Sequence, residues 1–316
     1  MNAVKPRLLQ NGRLSPDLEK ALAEEFDTHA LWNEADAAGF LARHGGEFSG
    51  LVTSAMVGAD ARLIDSLPAL KVIASRGVGF DTIDVAPARQ RGVQVSNTPG
   101  VLTDCVADLA FGGLIAVARS LAAADRFVRR GDWARGRFPM TTKVSGKRIG
   151  IFGLGRIGRT IARRASGFDM EIGYTDVRAQ PGVVYEFKST LAELARWSDF
   201  LVLAASGGPD TKHVVSTEVL EALGPHGYLV NCARGSLVDE KALVHALTHG
   251  GIAGAVLDVF DDEPRVSPEL IALDNVILLP HISSSTRETF KAMEDLVLDN
   301  LRSFYRDGSL KTPVST

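Results

Sequence analysis

Three polar side chains, far apart along the chain, carry the groups that reduction of a carbonyl requires. Arg234 lies in Val230-Asn-Cys-Ala-Arg-Gly235, Glu263 in Leu257-Asp-Val-Phe-Asp-Asp-Glu-Pro264 and His281 in Leu279-Pro-His-Ile282, each just past an apolar run that reads as a strand. In open α/β sheets, ligands bind outside the carboxyl ends of the strands. The three residues are therefore candidates to face one bound molecule. Reducing a 2-keto acid needs a hydride, a proton for the developing alkoxide and a group to hold the carboxylate. Histidine, with an unperturbed pKa of about 6.5, suits the proton transfer, and a neighbouring carboxylate favours its charged form. That makes His281 the candidate acid and Glu263 its orienting partner. Arg234 offers a planar fork to a carboxylate or keto oxygen. Taken singly, each residue has a plainer explanation: a surface arginine at a helix start, one acid of the exposed loop 261–263, a strand-end histidine bonded to backbone. The conjunction gains weight from what lies upstream.

Lys147 to Asp176, KRIGIFGLGRIGRTIARRASGFDMEIGYTD, reads as strand, glycine-rich turn, helix and strand. The first strand is Arg148 to Phe152 and the helix runs through Ser166. Gly153 permits a tight turn, Gly155 lets backbone approach a pyrophosphate, and Gly158 lets the helix pack closely on the strand. The helix N-terminus supplies free N–H groups and the positive end of a dipole to the phosphates. Asp176, eighteen residues past Gly158, stands close to the offset of about 20 at which a carboxylate takes the adenosine ribose hydroxyls. A glycine-rich turn alone is weak evidence; strand, glycines, helix, strand and terminal acid in that order predict a dinucleotide site.

The chain has 316 residues, 45% hydrophobic and 23% charged, with a net charge of −3. The length favours two domains. Without a basic run, neither a nucleic-acid nor a membrane-surface role has electrostatic support, so small-molecule partners are expected. No apolar stretch approaches the roughly 18 residues a membrane span needs, and the N-terminus lacks an apolar core of signal-peptide length, so the expected setting is cytoplasmic. Cys105 and Cys232 are far apart and are expected to be buried and reduced. His245 and His249 sit four apart on a predicted helix, a spacing that could hold a metal, but no third ligand is near; they are expected to be solvated, with no metal site.

The elements that must position these residues follow in order. Candidate strands at Arg7 to Gln10, Thr28 to Trp32, Gly50 to Ser54, Val72 to Arg76 and Val93 to Ser96 alternate with helical patterns at Ser15 to Glu25, Glu34 to Arg43 and Asp60 to Leu67, which implies a parallel sheet. The loop Arg76 to Asp84, with Gly77 and Gly79, is either a plain strand-to-helix turn or a nest of backbone amides for a substrate carboxylate. Asn97 to Gly100 is a candidate hinge. Thr103 to about Arg130 reads as one long helical run, so apolar in its first half that it should lie between domains or subunits. Gly131 to Ser145 reads as a loop or arm whose Trp133 and Phe138 either make a dimer contact or pack on their own domain. Beyond the glycine turn come strands at Phe200 to Ala205, Tyr228 to Cys232, Ala253 to Val259 and Val276 to Leu279, six in all with the first two, and a last helix from Thr286 to Arg306 that returns to the first lobe.

These residues resemble the D-isomer-specific 2-hydroxyacid dehydrogenases. The likeness rests on GVGFDTID at 77–84, SNTPGVLTDCVADLA at 96–110, GLGRIG at 153–158, and then NCARGSLVDEKAL, LDVFDDEP and LLPHISSST, in that order and spacing. The resemblance implies an α/β fold of two Rossmann-like domains with parallel sheets. The smaller, substrate-binding domain would comprise 1–98 and 284–316, built from both chain ends, and the dinucleotide-binding domain 99–283. It matches Arg234, Glu263 and His281 to the family's catalytic arginine, glutamate and histidine. Val78 and Gly79 match the amides that hold the substrate carboxylate. Cofactor contacts would fall on Gly153, Gly155, Arg156, Ile157 and Gly158 at the pyrophosphate, Cys232 and Arg234 near the nicotinamide, and Asp258 at its carboxamide. Residues 191–247 look most like the glyoxylate/hydroxypyruvate and hydroxyphenylpyruvate reductase branch, which often carries Ser-Arg after the second strand and uses NADPH. Here Asp176-Val177 stands in that place, with Arg178 next. A carboxylate about 4 Å from a 2′-phosphate repels it by about 4 kcal/mol at an effective dielectric near 20, so NADH is the expected cofactor, with NADPH still admissible through Arg178 or a rotated Asp176. A homodimer is expected from the aromatics of the 131–145 arm and, with the sequence ending at Thr316, no regulatory extension of the kind found in some phosphoglycerate dehydrogenases. The likeness leaves open reduction of larger aryl 2-keto acids and a non-catalytic, dinucleotide-sensing corepressor.

Overall fold

The computed structural model describes residues 4–314; Met1 to Ala3, Ser315 and Thr316 lie outside the described residues. The chain divides into two compact units, one formed by the described residues up to Leu102 together with those from Arg287 onward, the other by Thr103–Thr286.

The first unit is built on five parallel strands, β1 (Arg7–Gln10), β2 (Asp27–Ala30), β3 (Gly50–Ser54), β4 (Val72–Arg76) and β5 (Gln94–Ser96), in the order β2-β1-β3-β4-β5. Alternation along each strand sends side chains to two cores. Leu9, Leu51, Ile73 and Val95 meet Phe40, Phe48 and Ile64 on one face, while Leu8, Val52, Val72 and Ala74 meet Leu18 and Leu22 on the other. The helix Arg287–Asp307 completes that second core with Val297, Leu298 and Leu301, so sequence from both ends of the chain closes one sheet. The expected second strand is displaced: Leu31–Asn33 turns into a short 3-10 helix instead of continuing the strand to Trp32.

The second unit holds seven parallel strands, β6 (Arg148–Phe152), β7 (Glu171–Thr175), β8 (Glu186–Phe187), β9 (Phe200–Leu203), β10 (Tyr228–Asn231), β11 (Gly254–Leu257) and β12 (Val276–Leu278), in the order β12-β11-β10-β9-β6-β7-β8. Six strands were expected from the sequence; the seventh, β8, is a two-residue edge strand too short to show a period. The order reverses between β6 and β9. In a doubly wound sheet that reversal opens a crevice at the carboxyl ends of the strands.

The expected long helix is two helices, Thr103–Ala118 and Leu121–Arg129, set at 58°. Ser120 breaks the run by taking a left-handed backbone, φ 49°. The first helix, Thr103–Ala118, lies against the sheet of its own unit. Within its own unit it packs on β10, β11, β12 and the helix Arg156–Ser166, burying Val106, Phe111, Leu114 and Val117. Gly113 permits this approach, since a Cβ there would stand 2.8 Å from Val256 Cγ1. No single helix among the described residues is long and apolar enough to cross a membrane.

Leu201 in β9 is fully buried at the centre of the second unit's core. Leu201→Ala should destabilise the protein by about 2–5 kcal/mol, seen as a lower midpoint in denaturant unfolding; an unchanged midpoint would show that this core does not carry the sheet.

Candidate active site and dinucleotide turn

β6 delivers the chain into Gly153-Leu-Gly-Arg-Ile-Gly158, and the helix Arg156–Ser166 begins inside it. Two of the three glycines are required by the protein's own packing. Gly153 has φ 92° and its absent Cβ would meet Ala205 at 2.7 Å; a Cβ on Gly158 would stand 2.1 Å from the carbonyl oxygen of Gly153. Gly155 differs: its φ is −74° and nothing lies within 4 Å of where its Cβ would be. A side chain there would intrude only on a ligand. The helix that follows has no side-chain cap at its start, so its first amides are available to an anion. This turn fits a dinucleotide pyrophosphate, with the amides of Arg156 and Ile157 and the open face of Gly155 as its seat.

Asp176, at the end of β7, is tied to the same turn. Its Oδ2 accepts from the Leu154 amide at 3.1 Å and from Gln180 Nε2 at 3.2 Å, and its Oδ1 accepts from the Val177 amide at 2.8 Å. Gln180 and its link to Asp176 had no motif to announce them. Arg178 is exposed.

Arg234, Glu263 and His281 follow β10, β11 and β12, which are neighbours in the sheet. The sheet thereby brings the three loops to one edge. Glu263 Oε2 lies 2.7 Å from His281 Nδ1, and Glu263 Oε1 accepts from the Phe260 amide at 3.0 Å. An ionised carboxylate only accepts, so Nδ1 carries the proton of this bond and Nε2 is the nitrogen left for chemistry. Burial acts to raise the Glu263 carboxyl, but the His281 bond, the Phe260 amide and the charges of His281 and Arg234 outweigh it, and the net shift is below the ordinary value of 4.5.

The backbone of His281 is left-handed, φ 54°, an unfavourable region for a residue with a Cβ. Asp258 holds it there. This carboxylate is fully buried, and its two oxygens accept from the amides of Ile282 and Ser283, each at 2.7 Å. The resemblance assigns Asp258 to the nicotinamide carboxamide; in the protein itself its two oxygens hold the backbone of the residues after His281. Beside it the Cys232 thiol is pushed up to about 12 by burial and by the Asp258 charge, which keeps it protonated and inert. Cys105 is half-buried, not buried as expected, and both thiols are free.

Asn231, 1% exposed, was not singled out by the sequence. Its Nδ2 donates to the Arg234 carbonyl at 2.8 Å and its Oδ1 accepts from the Ala233 amide at 3.1 Å, which fixes the turn that carries Arg234. In the first unit, the loop after β4 resolves in part. The Gly77 amide is taken by Thr98 Oγ1 at 2.9 Å, and Asn97 Nδ2 donates to the Val78 carbonyl at 2.7 Å. Among the described residues the amides of Val78 and Gly79 meet no acceptor, and these are the two assigned to a substrate carboxylate. In the arm, Phe138 packs edge-on against Phe127 of its own unit, 5.4 Å between ring centres, while Trp133 is exposed. His245 and His249 stack on one another at the surface.

The dinucleotide turn and the polar edge of β10 to β12 define an NAD-binding oxidoreductase domain. Residues 111–283 match the NAD-binding domain of the D-isomer specific 2-hydroxyacid dehydrogenases, and the chain belongs to that family. It is 45% identical over 301 residues to a glyoxylate/hydroxypyruvate reductase A of Arabidopsis thaliana, covering 95% of this chain and 96% of that one. It is 46% identical, at the same coverage, to a hydroxyphenylpyruvate reductase of Plectranthus scutellarioides. Among solved structures it superposes with a TM-score of 0.91 on an NADPH-dependent glyoxylate/hydroxypyruvate reductase of Sinorhizobium meliloti crystallised with NADP and malonate, 40% identical and covering 98% of this chain and 97% of that one.

Because Glu263 is lowered by folding, its stabilising contribution is present above its ordinary value of 4.5 and is lost as pH falls through the lowered value. A carboxyl carbon NMR titration of the folded protein should place the Glu263 midpoint below 4.5, and His281→Ala should raise it. A midpoint at or above 4.5 in the unmodified protein would contradict the ion pair.

Proposed function

We propose that the protein reduces small 2-keto acids of the glyoxylate and hydroxypyruvate type, with NADH or NADPH, to the D-2-hydroxy acid where a stereocentre forms. The observation that carries this reading is the 2.7 Å contact between Glu263 and His281 Nδ1 on the sheet edge that also carries Arg234, in a domain with a dinucleotide turn.

The reduced nicotinamide, when bound, supplies the hydride that adds to C2 of the keto acid. The rest falls to this chain. Arg234 draws the keto oxygen and carboxylate into register and stabilises the negative charge that develops on that oxygen. The amides of Val78 and Gly79 take the carboxylate. His281 gives an Nε2 proton to the alkoxide, and Glu263 holds the ring by Nδ1. The residues are regenerated when the imidazole takes a proton from water. In the reverse direction the neutral ring is the base.

The amides of Arg156 and Ile157 and the space over Gly155 receive the pyrophosphate, with Gly153 and Gly158 shaping the turn; Cys232 and Arg234 border the nicotinamide, and Asp258 is assigned to its carboxamide. Asp176 is assigned to the adenosine ribose, and its charge favours NADH over NADPH, with Arg178 leaving NADPH admissible. The reading extends to a cytoplasmic homodimer: two free thiols suit a reducing compartment, and Leu121, Val128, Trp133 and Met140 are each exposed apolar side chains that a second copy would cover. The substrate-binding role is assigned to the unit containing Val78 and Gly79.

Cofactor oxidation followed by absorbance with glyoxylate, hydroxypyruvate and hydroxyphenylpyruvate tests the class and ranks small against aryl substrates; no turnover of any 2-keto acid would overturn the reading. His281→Ala should lower kcat by roughly 10²- to 10⁴-fold while the Kd for NADH stays within about twofold, and retained turnover would remove His281 from the role of acid. Asp176→Ala should raise NADPH use relative to NADH, by about tenfold for the loss of one charged hydrogen-bonding group. An unchanged ratio would place selection elsewhere.

A further inference from the structure

We propose that Gly207, in the loop after β9, is a positioning residue for Arg234: the missing side chain is the seat of the arginine stem. A Cβ at Gly207 would lie 2.9 Å from Arg234 Cγ, 3.4 Å from Arg234 Cβ and 3.6 Å from Ser236 Oγ. The backbone of Gly207 does not demand glycine, since it is absent from the positive-φ positions. Its neighbour Gly208 is extended, φ 167°, and nothing lies within 4 Å of its absent Cβ. Of two adjacent glycines, one would press on Arg234 if it carried a side chain and the other faces open space.

Two hydrogen bonds restrain Arg234 against a side chain added there. Its carbonyl is held by Asn231 Nδ2 at 2.8 Å, and its guanidinium donates through Nη1 to the Ala233 carbonyl, also at 2.8 Å. The next residue, Gly235, is itself pressed against the strand-end loop of β11, where an added Cβ would meet the Phe260 carbonyl at 2.0 Å. With the backbone fixed on these sides, a methyl group at 207 acts on Cγ, one bond beyond Cβ. Displacing Cγ by rotation about the first side-chain torsion breaks the Nη1 bond to the Ala233 carbonyl and swings the guanidinium through a larger arc than the displacement that causes it. The inference rests on the reading of Arg234 as the group that holds the substrate.

The test compares Gly207→Ala, Gly208→Ala and Arg234→Ala, and adds Gly207→Ala to Arg234→Ala. Misplacement of a substrate-holding group by about 1 Å costs up to roughly 100-fold, so Gly207→Ala should lower kcat/KM for the keto acid by about 10- to 100-fold, mainly through KM. Its KM for NADH should stay within about twofold, and Gly208→Ala should behave as the unmodified protein. Arg234→Ala removes Cγ, so adding Gly207→Ala to it should bring no further loss. Full activity in Gly207→Ala, a KM for NADH that rises in step with that for the keto acid, or additive losses in the double variant would each overturn the proposal. Full activity in Arg234→Ala would instead overturn the reading on which it rests.

Discussion

A carboxylate that stays ionised while half-buried is the constraint around which the site is arranged. Glu263 loses hydration on folding, which disfavours its charge, and its partners outweigh that loss: the His281 ring on one oxygen, the Phe260 amide on the other, and the guanidinium of Arg234 in the same field. Such charge-assisted bonds are roughly twice as strong as neutral ones. A carboxylate so held fixes the tautomer of the imidazole and leaves Nε2 as its working end. His281 in turn tolerates a left-handed backbone because the buried Asp258 satisfies the two amides that follow it. Removing either acid would leave the other half of the assembly without its restraint.

Parallel sheet topology makes that arrangement possible from residues distant in sequence. β10, β11 and β12 run side by side in one direction, so the loops after them open at one edge, and each loop contributes one polar group. The reversal between β6 and β9 places the glycine turn at the same edge of the same sheet. Its glycines divide by cause: Gly153 and Gly158 answer to internal packing, while the space over Gly155 is open. Chemistry and cofactor site thus follow from one pattern of hydrogen-bonded strands.

Much of this was legible in the chain. Strand-glycine-helix-strand order and the terminal Asp176 are local signals, and Arg234, Glu263 and His281 stand out because each ends an apolar run. What stayed hidden depends on contacts between segments. The two-residue strand Glu186–Phe187 has no period to read, and nothing in the residue type Ser120 announces a left-handed break in a long apolar helix. Asn231 and Gln180 look like ordinary polar residues until their amides are seen to bridge a turn or meet a carboxylate. Gly77 looked like a donor for an anion, but Thr98, twenty-one residues later, takes its amide. Nothing in the residue type of Asp258 announces its bonds to the amides of Ile282 and Ser283, which form only when the loops after β11 and β12 meet.

The most direct measurement of the central claim is nitrogen-15 NMR of the His281 ring in the unliganded protein at a pH where the imidazole is neutral. The account predicts that the proton resides on Nδ1, hydrogen-bonded to Glu263, with Nε2 bare. A ring protonated on Nε2, or one averaging between the two tautomers, would show that Glu263 does not orient the histidine.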